Sequence, residues 1–351
     1  MYDTLKLVLY IKDIPIEEIT PIDRTKAHFV GISDWQEKNV KYTKHKYNLL
    51  YPKCSGKDSG WTIWVKRDRY IIEGSLAKWY FGNNIQTLTL AQAKKGIVDL
   101  GRDIGVGKYI YKAEVKRIDF SSNVYTKNPP HSYFPLLDFL IGFYRHHIKD
   151  HKSVYYDTKT GDRQIVVYDK KLEAEQNKMT IPSEAKGYKN ILRFEVRYKT
   201  KGIYNYLSKL KINKKPFNVS DMLEERRFTY FADEWFELYH KIEKINHTKD
   251  IMPAKNKRTA KEISEAVFAR LMNEIGLSKV LDYVELEYEL SYKGTEALRP
   301  ENRRKVQDAK KNIKQTYNIP ITKTYEPIAE LNQLMKERQE EIKETMMRLD
   351  I

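Results

Sequence analysis

Residues 164–173 read QIVVYDKKLE, and they carry the strongest structural and chemical signal in the chain. The run from Ile165 to Tyr168 consists of β-branched and aromatic residues, which predicts a strand. Lys170 and Glu173 follow the tyrosine by two and five residues. A tyrosine has a reference pKa of about 10 and is a poor nucleophile unaided, so a nearby lysine would help it. The stretch predicts a sheet that presents Tyr168, with Lys170 and Glu173, as a candidate catalytic set.

Three predicted strands each place one carboxylate on a polar face, because side chains alternate across a strand. The carboxylates belong to Glu73, Asp119 and Glu195. Neighbouring strands lie about 4.8 Å apart, so the three groups would converge if their strands were adjacent. An oxygen-rich set of this kind suits Mg²⁺ or Mn²⁺. In the alternative interpretation, Asp119 and Glu195 form structural ion pairs with Arg117 and Arg193 on a solvated sheet face.

The first 215 residues are predicted to form an α+β domain. The spacing of apolar residues predicts helices at Leu90–Ile104 and Tyr133–His146. Residues 158–162 read TKTGD, a turn signal that predicts a hairpin. These elements indicate a central, mostly antiparallel sheet with helices on one face. The predicted strands are Thr4–Ile11, Ala27–Ser33, Val40–Leu50, Thr62–Val65, Arg69–Glu73, Tyr109–Phe120, Lys152–Asp157, Gln164–Tyr168 and Ile191–Tyr198.

The composition shifts toward helices from about Asn218, so we divide the chain into domains at 1–215 and 216–351. A basic stretch, His247–Arg258, is predicted to be a linker or exposed loop. The apolar residues of the last helix suit packing against another helix better than gripping phosphate. The predicted C-terminal helices are Ser220–Asn246, Thr259–Gly276, Glu301–Tyr317 and Pro327–Leu349.

The charge of the chain indicates a polyanionic partner. Its net charge is +16 and its pI is about 9.4, which is typical of proteins that bind nucleic acid. Arg303, Arg304 and Lys305 form a purely basic cluster and are candidate DNA contacts. No apolar run is long enough to span a bilayer, so we expect no membrane association. The single cysteine, Cys54, excludes an internal disulfide and favours a reducing cytoplasm.

Several motifs in order resemble the gene II/X replication initiators of filamentous phages and related plasmids. The resemblance covers roughly residues 69–200, with no clear match in the first 68 residues or after about residue 215. The motifs are Glu73-Gly-Ser-Leu-Ala-Lys78, Gly82-Asn-Asn84, Arg117-Ile-Asp119, Tyr168-Asp-Lys-Lys-Leu-Glu173 and Leu192-Arg-Phe-Glu-Val-Arg-Tyr-Lys-Thr200.

The resemblance implies an enzyme that nicks one DNA strand to start rolling-circle replication. Tyr168 would be the nucleophile and form a 5′-phosphotyrosine, and a sheet-borne acidic site would hold a metal, with Glu73, Asp119 and Glu195 as candidate ligands. Lys78, Arg117 and Arg193 become candidate DNA contacts. The implied fold is a degenerate HUH-like nuclease, since the sequence lacks a His-hydrophobe-His triplet.

The implied partners are single-stranded or supercoiled origin DNA and a host helicase. We expect the protein to work in the host cytoplasm, and a homodimer is possible. Two other functions stay open: a relaxase or transposase with the same tyrosine chemistry, and a non-enzymatic DNA-binding regulator. The chain has 26 tyrosines, most of which pack structurally, so the pattern around Tyr168 also fits a tyrosine without a catalytic role.

Overall fold

The computed structural model describes most of the first 244 residues and a helix near the C-terminus. The predicted linker, the predicted helix from Thr259 to Gly276, and Arg303 lie outside the described residues. The described ranges are 1–22, 27–37, 40–51, 60–147, 153–177, 179, 181–212, 216–244, 304–305, 307–308 and 326–347.

Ten strands of the described ranges form one antiparallel sheet, in the order β2-β3-β4-β5-β1-β6-β10-β9-β8-β7. The first strand of the chain therefore lies near the middle of the sheet, between β5 and β6. The strands are β1 Tyr2–Tyr10, β2 Ala27–Glu37, β3 Val40–Leu50, β4 Gly60–Val65, β5 Arg69–Ser75, β6 Glu114–Tyr125, β7 Phe143–His147, β8 Ser153–Thr158, β9 Arg163–Asp169 and β10 Ile191–Lys199.

Helices connect the strands and follow them, which confirms the predicted α+β class. The α-helices are α1 Leu76–Phe81, α2 Leu90–Asp103, α3 Lys170–Gln176, α4 Ser183–Lys186, α5 Thr200–Lys209, α6 Val219–Met222, α7 Glu225–Lys241 and α8 Glu326–Met347. Short 3-10 helices are Ile11–Asp13, Ile16–Glu18, Gly107–Lys112, Pro130–Ser132 and Phe134–Leu136. No helix in the described ranges is long and apolar enough to cross a membrane.

One face of the sheet is apolar and is covered by α7. The indole Nε1 of Trp235 donates to the carbonyl oxygen of Phe194 in β10 at 2.8 Å. Tyr2 of β1 meets Phe228 edge-to-face, with ring centroids 5.2 Å apart. Burial of these large rings supplies much of the hydrophobic stabilisation of the fold.

The division of the chain at residue 215 stays a prediction.

The opposite face is polar, because most of the alternate residues that β6 and β10 place there are charged or carry a hydroxyl or amide, as do Gln164 and Tyr168 of β9. One end of this face is covered by the start of α3 and by the loop after α1. Ile85 of that loop, Ala174 of α3 and Ile191 of β10 form a small separate apolar cluster. The cluster closes the end of the polar face, so the charged side chains beside it are shielded from solvent.

The predicted helix Tyr133–His146 is wrong. The chain forms instead a 3-10 turn at Phe134–Leu136 and the strand β7 at Phe143–His147. Pro135 lacks the N–H that a helix interior needs, and Gly142 adopts a positive φ of 84° that breaks helical geometry. The leucines of this segment are all buried, but they do not share a helix face. Their spacing therefore imitates a helical period without a helix.

Two other predicted elements have different boundaries. The predicted strand Tyr109–Phe120 begins as the 3-10 helix Gly107–Lys112, and β6 starts only at Glu114. The predicted helix Ser220–Asn246 is divided into α6 and α7. The hairpin around residues 158–162 and the last predicted helix, which becomes α8, are confirmed.

Candidate active site

Tyr168 lies at the end of β9, on the polar face and directly opposite Arg193 of β10. Its phenol donates to Oε2 of Glu195 at 3.3 Å. The guanidinium of Arg193 donates from Nη1 to the same phenol oxygen at 3.5 Å. The phenol therefore has a proton acceptor on one side and a permanent cation on the other.

Arg193 is 2% exposed and is held by four groups. Besides the phenol, its Nε donates to Oδ1 of Asn123 at 2.8 Å, and its Nη1 donates to Oδ2 of Asp3 at 2.8 Å. Its Nη2 donates to the carbonyl oxygen of Asn84. Burial alone would lower the pKa of the guanidinium, but Tyr168 and Asp3 raise it above its ordinary value. The cation beside the phenol is thus fixed in both position and charge.

Asp3 completes this network from the central strand β1. The hydroxyl of Ser75 and Nδ2 of Asn84, the latter at 3.1 Å, both donate to its carboxylate. Burial raises the pKa of Asp3, but Arg193, Lys170 and the hydrogen bonds from Ser75 and Asn84 together outweigh it, so the pKa lies below its ordinary value. The sequence analysis missed Asp3, because no motif surrounds it and only the sheet order brings it to Arg193.

The predicted acidic residues form a row with arginines on the same face. Arg117 donates to both oxygens of Asp119 at 2.8 and 2.6 Å. Arg197 donates to Oε1 of Glu195 at 2.6 Å, and its Nε lies 3.8 Å from Oδ2 of Asp119. Oε1 of Glu73 lies 3.5 Å from Nη1 of Arg117. Each of the three carboxylates thus has an arginine partner.

The three carboxylate strands are not all neighbours. β6 and β10 are adjacent, but β1 separates β5 from β6 and places Lys6 between Glu73 and Arg117. The ammonium of Lys6 lies 2.9 Å from Oε2 of Glu73. Glu73 therefore does not converge directly with Asp119.

In this arrangement the three residues do not fit a divalent cation. Among the described residues, no group of three or more His, Cys, Asp or Glu side chains has an arrangement that could hold a metal ion. The positive charges of Arg117 and Arg197 already compensate Asp119 and Glu195, and a metal would have to displace them. A Mg²⁺ or Mn²⁺ requirement stays a prediction.

The ion-pair interpretation describes part of this row. Arg117 pairs with Asp119 as expected, but Glu195 pairs with Arg197 rather than with Arg193. The face is also not solvated at this point, because Asp119 and Glu195 are 2% and 3% exposed. Burial, and then repulsion from Glu195, raise the pKa of Asp119 to about 7, against the opposing effect of the arginines.

Lys170 and Glu173 lie at the start of α3, immediately after Tyr168. The ammonium of Lys170 is fully buried and pairs with Oε2 of Glu173. Its nitrogen lies 5.9 Å from the centroid of the Tyr168 ring. Burial, followed by the charge of Arg193, lowers the pKa of Lys170 to about 8. Lys170 thus lies near the Tyr168 ring, and its role in activating the phenol stays a prediction.

The phenol itself is protonated at neutral pH. Burial raises the pKa of Tyr168 well above its ordinary value, and Glu195 and Asp3 raise it further, against the opposite effect of Arg193. A neutral phenol is a weak nucleophile, so attack on phosphorus requires that a neighbouring base take its proton as the new bond forms.

The other candidate DNA contacts have different positions. Lys78 is on α1, whose N-cap Ser75 also bonds to Asp3, so α1 borders the site. Arg304 and Lys305 are exposed, and Nε of Arg304 lies 4.0 Å from Asp308. Their roles in DNA binding stay predictions.

A comparison with protein families matches the part of the chain that carries the candidate site. A family model that describes the N-terminal part of a phage replication-associated protein, the gene II protein, matches residues 1–215. The match includes the first 68 residues, where the sequence motifs indicated none, and it contains Asp3, Tyr168 and Glu195. A comparison with curated proteins gave no match. The chain belongs to this family of phage replication-associated proteins, the gene II/X replication initiators, and has a role in initiating DNA replication.

Proposed function

We propose that this protein nicks one strand of its origin DNA by transesterification and later rejoins it. The observation that carries the proposal is the position of the Tyr168 phenol, between the carboxylate of Glu195 and the guanidinium of Arg193. Membership of a replication initiator family supports an endonuclease, and the basic chain suits a polyanionic substrate.

In the proposed reaction the phenol oxygen of Tyr168 attacks the phosphorus of a phosphodiester. The bond from phosphorus to the 3′ oxygen breaks as the bond to tyrosine forms. The phenol proton passes to Glu195, which already accepts a hydrogen bond from it. The leaving 3′ oxygen takes a proton from water and becomes the 3′-OH that primes synthesis. The number of phosphoester bonds does not change, so rejoining needs no ATP.

The fixed charge of Arg193 would stabilise this step. A phosphate that approaches Tyr168 brings negative charge toward a buried guanidinium, and the pentavalent transition state carries more charge than the ground state on the attacking and leaving oxygens. Because Asp3, Asn84 and Asn123 hold Arg193 in place, its dipole and charge need no reorganisation during the reaction. Arg193 would therefore act by electrostatic stabilisation, and Asp3 as its positioning residue.

Lys170 and a divalent cation would each contribute less directly to this reaction. Lys170, with its pKa of about 8 and its pairing to Glu173, would adjust the charge around the Tyr168 ring. A divalent cation, Mg²⁺ or Mn²⁺, would polarise the scissile phosphate when bound. Its predicted ligands pair with arginines in this structure, so no step of the proposal depends on it.

The biological setting is proposed from the family. The substrate would be single-stranded or supercoiled origin DNA of a phage or plasmid, a host helicase would unwind the nicked duplex, and the host cytoplasm would be the site of action. A relaxase or transposase would use the same chemistry on a different DNA, and only the substrate distinguishes these cases.

The test of this proposal compares wild type with Tyr168→Phe on supercoiled circular DNA that carries the gene for this protein and its flanking sequence, with Mg²⁺ present. We expect wild type to give nicked circles and a protein–DNA adduct that survives denaturation. Tyr168→Phe should bind the DNA but form no adduct, because it lacks the attacking oxygen.

Tyr198→Phe is the matched control. Tyr198 lies on the adjacent strand, and its buried hydroxyl has no hydrogen-bond partner among the described residues, so its removal should leave nicking unchanged. An adduct formed by Tyr168→Phe at the wild-type level would refute the assignment. Equal DNA binding by wild type and Tyr168→Phe, with no nicking by either, would favour a non-enzymatic regulator.

A further inference from the structure

Two exposed tyrosines stack on each other near the candidate active site. The rings of Tyr125 and Tyr188 have centroids 3.8 Å apart and planes inclined by 21°. Tyr125 is 37% exposed and Tyr188 is 45% exposed. Part of each residue therefore stays in contact with solvent, and the pair offers a partly exposed aromatic surface.

The pair is on the side of the sheet that carries Tyr168. Tyr125 follows Asn123 by two residues on β6, so both side chains are on the polar face. In the sheet register, Arg193 lies opposite both Asn123 and Tyr168, and Ile191 lies opposite Tyr125. Two strand spacings and a two-residue step along the strand place the Cα atoms of Tyr125 and Tyr168 about 12 Å apart. A short stretch of single-stranded DNA can span that separation.

The loop that carries Tyr188 is tied down on two sides. Nδ2 of Asn190 donates to the carbonyl oxygens of Thr126 and Lys127, at 3.2 and 2.8 Å, which fixes the loop to the end of β6. The ammonium of Lys171 on α3 donates to the carbonyl oxygen of Tyr188 at 3.3 Å. The aromatic pair is thus held in place before any ligand binds, which lowers the entropic cost of binding.

The surroundings of the pair are basic. Lys186 and Lys189 flank Tyr188 in sequence and are exposed, and Lys127 follows Tyr125 by two residues and is also exposed. Aromatic rings among lysines are the combination by which proteins hold single-stranded nucleic acid: the rings stack on bases and the lysines neutralise phosphates.

We propose that the Tyr125–Tyr188 pair stacks an unpaired base of single-stranded DNA close to the phosphate that Tyr168 attacks. The inference rests on the proposed nicking function for its biological meaning, but the binding itself does not require cleavage. The pair would hold the substrate strand in register over the polar face, so that the scissile phosphate approaches Tyr168, beside the buried guanidinium of Arg193.

The test measures binding of fluorescein-labelled oligothymidylate to full-length protein in the Tyr168→Phe background, where no cleavage occurs. An oligonucleotide of abasic sites with the same number of phosphates is the second probe. Tyr125→Ala should bind oligothymidylate at least about fivefold more weakly than its parent, because one stacked base is lost. Binding of the abasic probe should be unchanged, because its phosphates still meet the lysines. Tyr125→Phe should bind both probes normally.

The control variant is Tyr230→Ala, which removes a partly exposed tyrosine from α7, on the other face of the sheet. We expect it to bind both probes normally. Equal weakening of both probes by Tyr125→Ala would overturn the proposal and assign the pair a purely structural role, as would unchanged binding of both. Absence of an adduct in wild type, with the base-specific loss intact, would instead refute nicking while leaving the stacking site established.

Discussion

In the proposed reaction, the protonated phenol of Tyr168 must lose its proton, and its neighbour Glu195 is the group placed to accept it. Glu195 is buried, accepts the phenol's hydrogen bond, and is itself oriented by Arg197. A carboxylate in this position can take the phenol proton only while phosphorus is being attacked, because the isolated phenolate would be costly in a buried site.

We therefore expect Glu195→Gln to slow adduct formation by about 100-fold or more while the protein stays folded. The amide keeps the shape of the side chain but cannot take up the proton. The measurement is the single-turnover rate of adduct formation at saturating DNA. Glu114→Gln is the control, since Glu114 is a partly buried carboxylate at the start of β6 that pairs with Lys116. A wild-type rate for Glu195→Gln would mean that another group accepts the proton.

Asp119 should make the stability of the protein depend on pH. Burial raises its pKa to about 7 in the folded state, against a reference value of about 3.9 in an unfolded chain. The folded state therefore holds this proton more tightly, and the stabilisation is present at acid pH and is lost as pH rises from about 4 to about 7.

The corresponding prediction compares wild type with Asp119→Asn. The stability of wild type relative to the variant should fall as pH rises through that range, because asparagine does not titrate. Urea unfolding at several pH values measures the difference. A difference that grows with pH would show that Arg117 keeps Asp119 ionised throughout. We also expect Asp119→Asn to lose most nicking activity at neutral pH, since the row of charges on the polar face would be altered.

Among the secondary-structure elements, those with strong local patterns were predictable from sequence. The alternation around Asp119 and Glu195 identified β6 and β10 and placed both carboxylates on one face. The segment Tyr133–His146 was misjudged, because buried leucines imitate a helical period while Pro135 and Gly142 prevent a helix. Local patterns report burial well, but they distinguish a helix from an irregular buried segment less well.

The candidate site was predictable only where its residues share a motif. Tyr168, Lys170 and Glu173 lie within six residues, and the structure keeps them close together. Asp3 gives no local signal, since it joins the site only because β1 lies between β5 and β6. The interposed Lys6 was missed for the same reason. Pairing between distant strands depends on the whole sheet, which no single stretch of sequence specifies.

The C-terminal helix α8 stabilises the fold from outside the region that matches the family model. It packs against α7, and its residues Leu331 and Met335 are buried in the main core. Arg338 donates to the hydroxyl of Ser122 on β6 at 2.7 Å. The predicted packing of this helix against another helix agrees with these contacts, and its smaller contribution to DNA binding stays a prediction.

We expect Met335→Ala to lower the free energy of unfolding by about 2–5 kcal/mol, because it leaves a cavity at a fully buried position. Lys336→Ala, at the exposed neighbouring position, should change it by less than about 0.5 kcal/mol. Thermal and urea unfolding measure both. A similar, small effect of the two variants would show that α8 detaches readily from the sheet in solution.

For the whole molecule, the balance of charge on the polar face bears on the metal question. Lys6, Arg117, Arg193 and Arg197 match four carboxylates, those of Asp3, Glu73, Asp119 and Glu195. Because each of these carboxylates has a cationic partner, the face does not need a divalent cation to offset the repulsion between its carboxylates.

Accordingly, we expect Mg²⁺ to leave the melting temperature of the DNA-free protein unchanged. A cation that bound the free carboxylates tightly would raise it by mass action. Differential scanning fluorimetry with and without Mg²⁺, and with EDTA as control, measures this. Nicking assays in excess EDTA then decide whether a metal enters with the DNA. A large stabilisation by Mg²⁺ alone would mean that the metal displaces the arginines and binds the carboxylates.

The position of β1 also has a consequence for how the chain acquires its shape. Asp3 meets Arg193 across 190 residues of sequence, and Tyr2 meets the carbonyl of Met222 across 220. Contacts so distant along the chain are slow to form, because a long loop must close, at an entropic cost, before the contact adds any stability. Hairpins such as β8–β9 can assemble early, but the guanidinium beside Tyr168 is fixed only once β10 has been synthesised and paired with β6. A chain still emerging from the ribosome therefore lacks the assembled candidate site, and the proposed cleavage of DNA would have to await completion of the fold.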